Sequence, residues 1–107
     1  MKPVRLVKWD AHNHRHIVVE QGRCTVVDVE DILGIRCHPT RRFQAVPHTY
    51  RGGTELRRRY HGQSCRGRFL VIVAADEPGG AVRPITCWPL AREHLRRYLT
   101  WKASRPR

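Results

Sequence analysis

Six residues of this chain, Tyr60, His61, Arg68, Arg83, Glu93 and His94, are of the types that together could break a phosphodiester. Cleaving RNA through its own 2′-hydroxyl takes a base, an acid and cations that stabilise a five-coordinate phosphorus. In an antiparallel meander, Tyr60 and His61 on one strand, Arg68 on the next and Arg83 on the third lie near one another across the sheet. A terminal helix would bring Glu93, His94 and Arg97 to the end of that sheet. His61, Arg83, Glu93 and His94 are therefore the candidate catalytic groups. Tyr60, Arg68, Trp88 and Arg97 are the candidate substrate contacts, with Trp88 able to stack a base. Any one of these taken alone is more simply a sheet arginine or a satisfied core histidine; the set carries the reading.

Other chemistries find less support. His12, His14 and His16 alternate, and His12 and His16 stand one helical turn apart, but no third ligand follows. A metal site needs a full coordination set, so no metal is expected. No motif for a phosphate loop, dinucleotide binding or a serine nucleophile is present, and no cofactor is expected.

Charge points to the partner. The chain of 107 residues carries 21 Lys and Arg against 9 Asp and Glu, a net charge of +12. Residues 1–35 are balanced, five bases to five acids, so the whole excess falls in residues 36–107. Eighteen of the bases are arginine, whose planar fork grips phosphate and stacks on bases. Such a surface concentrates polyanions, RNA foremost. No apolar run approaches the ~18 residues of a membrane helix, and residues 1–5 do not resemble a secretory leader, so a cytoplasmic protein is expected. The cysteines at 24, 37, 65 and 87 include no Cys-x-x-Cys pair. In that compartment they read as unpaired structural thiols.

These residues need elements to hold them. Residues 4–9 have the alternation of a short strand. Asp10 is a helix N-cap for residues 11–21, stopped by Gly22, with Ala11, His14, Ile17, Val18 and Gln21 facing inward. Thr25 caps a second helix, residues 26–33, ended by Gly34, with Asp28, Glu30 and Asp31 facing out. Residues 36–53, with two prolines and a Gly-Gly pair, suggest a strand fragment and a long loop. A polar strand over 54–63, a turn at Gly67 and an apolar central strand over 68–75 follow. Pro78-Gly79-Gly80 is a hairpin loop returning along residues 81–88. Pro89 opens a terminal helix to about Lys102, with Leu90, His94, Leu95, Tyr98 and Leu99 on one face and Arg92, Arg96 and Arg97 on another. The expected fold is a small single α+β domain over residues 1–107, a twisted antiparallel sheet with helices packed on it, in the order β-α-α-β-β-β-α.

Three stretches then resemble the BrnT family of type II toxin–antitoxin ribonuclease toxins, which have a RelE-like fold. One is Val7-Lys8-Trp9-Asp10-Ala11-His12-Asn13 with His16 and Gly22. Another is Arg59-Tyr60-His61-Gly62-Gln63-Ser64 followed by Gly67-Arg68-Phe69-Leu70-Val71-Ile72-Val73. The last is Val82-Arg83-Pro84-Ile85-Thr86 with Arg96-Arg97-Tyr98. Together they span about three quarters of the chain. Where the family has a small residue and an arginine after its last strand, this chain has Cys87 and Trp88. The family's helix glutamate falls at His94, with Glu93 one place early. The resemblance implies a metal-independent endoribonuclease neutralised by a cognate antitoxin, which covers the basic face and binds operator DNA with the toxin. Tyr98 and Trp101 are the candidate antitoxin contacts. Two other readings of the residues remain: a noncatalytic nucleic-acid-binding module, and a subunit whose basic face meets an acidic protein.

Overall fold

The computed structural model describes residues 6–105, so the first two positions of the expected opening strand lie outside the described residues. The first strand, β1 (Leu6–Val7), leads into α1, which is α-helical over Ala11–His14 and widens to a π-helix over Arg15–Glu20. Asp10 caps it reciprocally: its Oδ1 accepts from the Asn13 N–H, while the Asn13 Oδ1 accepts from the Asp10 N–H, both at 2.8 Å. That lock turns Asn13 inward with Ile17, whereas the expected inner residues Ala11 and His14 are exposed. The second helix, α2 (Val26–Leu33), begins where expected, with Thr25 Oγ1 accepting from the Asp28 N–H at 3.1 Å. Its acidic residues do not all face water: Asp28 and Asp31 are buried.

Residues 36–53 are not a long loop. They contain β2 (Arg41–Arg42) and β3 (Val46–Tyr50), both antiparallel to β4 (Gly53–Gln63). An eleven-residue β4 would otherwise leave one edge of backbone donors and acceptors unpaired. β5 (Phe69–Asp76) and β6 (Ala81–Pro89) complete the meander, and β1 joins β6 in parallel. The sheet is thus mixed, in the order β1-β6-β5-β4-β2 with β3 also on β4. Pro89 ends β6 instead of opening a helix. The last helix, α3 (Arg92–Ala103), starts three residues later. No described helix is long and apolar enough to cross a membrane.

Helices cover both faces, unequally. Ile17, Val29, Ile32 and Leu33 pack on Tyr60, Leu70, Ile72 and Ala74, the main core. On the other face Val71, Leu90 and Tyr98 form a smaller buried cluster, flanked by Phe69, Leu95 and Trp101. The α3 contact is a narrow stripe, so His94 and Leu99, expected to face inward, are exposed. Beyond α3 no described helix covers that face.

Gly62 shows how closely α2 approaches the sheet. A Cβ there would stand 2.6 Å from Ile32 Cγ2 and 3.2 Å from Thr40 Oγ1. Gly62→Ala is expected to cost about 1–3 kcal/mol by overpacking. Urea unfolding would measure it, and an unchanged midpoint would show that α2 can move aside.

The cysteines are not free thiols. Cys24 is bonded to Cys87 and Cys37 to Cys65, with Cα atoms 6.6 and 5.2 Å apart. Partners 63 and 28 residues apart leave no local spacing to read. Only the fold brings the end of the α1–α2 connection against β6.

Candidate functional site

Adjacent strand residues point to opposite faces, and this separates Tyr60 from His61. Tyr60 is buried in the main core with its hydroxyl unpartnered, and burial raises its phenol above the usual range. His61 lies on the α3 face, where β2 places Arg41 directly opposite it. Its ring is 4.6 Å from Phe43 and 5.7 Å from His94, which meets it edge-on from α3. His61 is 3% exposed, and its Nδ1 is buried with no partner. Burial, then the nearby positive charge of Arg59, His94 and Arg41, lowers its pKa to about 4. Desolvation and like charge both favour the neutral ring.

Beside this pair, Arg41, Glu93, Arg96, Arg97, Thr100 and Trp101 line a depression of about 400 Å³ between β2 and α3. Glu93 is held there by Arg96 at 3.0 Å and Arg97 at 3.3 Å. His61, His94, Glu93, Arg97 and Trp101 are thus brought together around Arg41. Trp88 stands at the same level on β6, across Val71, and is 37% exposed.

The other candidates lie elsewhere. Arg68 sits at the β4–β5 turn, bound to Asp28 at 3.3 Å and to the Arg23 carbonyl. Arg83 is engaged by Glu55 and, at 3.4 Å, by Glu77, toward the opposite end of the sheet. Burial alone would raise the Glu55 pKa, but bonds and charge from Arg57 and Arg83 outweigh it and lower it. Tyr98 is wholly buried, its hydroxyl donating to the Pro39 carbonyl at 2.6 Å, and burial lifts its pKa to about 12. It has no surface to offer a partner. Trp101 is half-buried between Tyr98 and Arg105.

Arg41, Phe43 and Arg59 are the members that sequence reasoning missed. The Arg59 guanidinium lies 4.3 Å and that of Arg41 5.0 Å from the Phe43 ring centroid. Arg41 and Arg59 have no carboxylate partner among the described residues, whereas Arg57, Arg58 and Arg83 do. Two unpaired cations therefore stand beside the histidine pair, while Arg42, in register with Tyr60, belongs to the other face. The available signal was Arg41-Arg42-Phe43 just before the alternating stretch 46–50, hidden by the prolines around it.

A strap over residues 37–40 fixes Arg41. Cys37 is tied to Cys65, Thr40 Oγ1 donates to the Ile32 carbonyl at 2.6 Å, and His38 meets Lys102 at 3.0 Å. The β4–β5 turn that carries Cys65 is anchored in turn to buried carboxylates. The Cys65 N–H donates to Asp31 Oδ2 at 3.0 Å, and Arg66 donates to Asp28 at 2.9 Å. Burial would raise the Asp28 pKa, but bonds from Arg66, Thr25 and Ser64 prevail and hold it below 3.8. A depressed carboxyl adds stability above its unfolded pKa that is lost as pH falls through the folded one. Asp28→Asn is therefore expected to cost stability at neutral pH, with the gap to the parent closing as pH drops below 3.8. Parallel urea titrations from pH 7 to pH 2 would test this, and a pH-independent gap would refute it.

No family model, curated protein or solved structure matches the chain, so the resemblance to BrnT-like toxins rests on its three stretches alone.

Proposed function

We propose that this protein binds RNA on the α3 face of its sheet and cleaves it without a metal, as the toxin half of a toxin–antitoxin pair with a RelE-like fold. The supporting observation is the His61–His94 pair walled by Arg41 and Arg59, the latter without carboxylate partners among the described residues. His61 Nδ1, unpartnered but buried, must first be uncovered as RNA displaces the side chains over it; it then takes the proton of a 2′-hydroxyl as the 2′-oxygen bonds to phosphorus. The P–O5′ bond breaks, and His94, as general acid, donates a proton to the leaving 5′-oxygen. A 2′,3′-cyclic phosphate and a 5′-hydroxyl result. Arg41 and Arg59 stabilise the charge on the five-coordinate phosphorus. A conjugate acid near 4 makes a weak base, chiefly because the ring is buried; RNA phosphates offset only the smaller part due to the surrounding cations.

One arrangement favours a second reading, a noncatalytic RNA-binding module. Arg68 and Arg83, two cations expected at the site, are bound to carboxylates away from it. End-labelled RNA incubated in EDTA separates the readings. Cleavage is expected from the parent and from Arg83→Ala, and not from His94→Ala. Intact RNA that the protein still retains would favour the module, and no retention even at low salt would refute both.

The antitoxin in this reading covers the exposed arginines of β2, β4 and α3, and the complex contacts operator DNA. Disulfides persist in oxidising compartments, so the Cys24–Cys87 and Cys37–Cys65 bonds count against a cytoplasmic site of action, which would need all four as thiols. Running the cleavage assay with and without reductant shows which form is active.

A further inference from the structure

Next to Phe43, on the side away from the histidine pair, a groove of about 430 Å³ is lined by Phe43, Gln44, Val46, Arg57, Arg58, Arg59 and Val73. Phe43, Val46 and Val73 are its apolar side chains, and three arginines ring it. Its wall is fixed. The Phe43 N–H donates to the Arg59 carbonyl at 3.0 Å, and Arg58 donates to the Phe43 carbonyl at 2.8 Å and to Asp76 at 3.1 Å. Arg58 also keeps a buried Nε with no partner, a donor that nothing in the described chain uses. Arg59 is exposed and lies against the Phe43 ring, which presents a flat guanidinium supported from behind. Gln44 is exposed at the same place, with an amide that can both donate and accept.

We infer that this groove holds one unpaired nucleobase of single-stranded RNA, stacked on the Arg59 guanidinium with Gln44 at its edge. Apolar contacts take the base's faces, cations take the adjoining phosphates, and a paired base could not enter. This rests on the RNA reading above and adds that the substrate is single-stranded, with one base seated beside the phosphate that faces His61. Phe43 is shared by both sites, within 4.6 Å of His61 and 4.3 Å of Arg59.

The test is a binding series with the full chain, using an RNA octamer, its duplex and eight versions each carrying one abasic position. The octamer is expected to bind more tightly than the duplex, and one abasic position to weaken binding roughly 5- to 150-fold, the range for one stacked base. Arg59→Lys keeps the charge but loses the plane, so it should remove that abasic penalty while leaving the salt dependence nearly unchanged. Octamer, duplex and every abasic version binding alike would overturn the base site and leave the RNA reading intact. No binding of any of them at low salt would overturn both.

Discussion

Replacing Cys24 and Cys87 together with alanine is expected to cost about 4 kcal/mol of stability, which lowers the melting temperature by roughly 15 °C or more. The bond closes a loop between positions 63 residues apart, and cross-linking limits the unfolded chain more as that span grows. Both sulfurs are buried, between the α1–α2 connection and β6, so the link also fastens the helical layer to the sheet. Removing Cys37 and Cys65, 28 residues apart, should cost about 3.5 kcal/mol. That pair is exposed, so a mild reductant reaches it first. Urea unfolding of the two double variants would measure both losses. Midpoints equal to the parent's would mean that the core alone sustains the fold.

His61→Ala is expected to lower RNA cleavage by about 10²- to 10⁴-fold, the usual contribution of a positioned proton-transfer group, while RNA is still retained. The same residue makes a separate claim about pH. Its pKa falls from 6.5 to about 4 on folding, so the folded state favours the neutral ring. Its contribution is therefore complete above pH 6.5 and lost as pH falls toward 4, a change on the order of 3 kcal/mol. Urea titrations across that range should show the parent losing stability more steeply than His61→Ala. Cleavage unaffected by the substitution would remove His61 from the chemistry, and parallel pH slopes would show that its ring is accessible to protons.

Much of the scaffold was legible because it is written locally. Thr25 and Gly34 bracket α2, the apolar run at 69–75 marks the central strand, and Gly67 takes a φ of +91° where the chain turns. What failed depended on distance. The two disulfides, the burial of Asp28 under Arg66 and Arg68, and the β2–β3 pairing along β4 all join segments that share no local pattern. The site divided the same way. His61 and His94 could be singled out by residue type, whereas the roles of Arg41 and Phe43 depended on a strand pairing that prolines concealed. Arg83 shows the converse: a conspicuous residue type, drawn away by Glu55 and Glu77.

The parallel pairing of β1 with β6 joins positions 6–7 to 81–82, so the chain's opening strand waits for nearly its last. Assembly is therefore expected to run backward along the sequence, with the β4–β5–β6 hairpins forming from near neighbours and the amino-terminal layer docking afterwards. During that interval Cys24 has no native partner, while Cys37 and Cys65 are already available to it. Refolding under oxidising conditions should then accumulate Cys24–Cys37 or Cys24–Cys65 species, with yield set by how fast they are reshuffled.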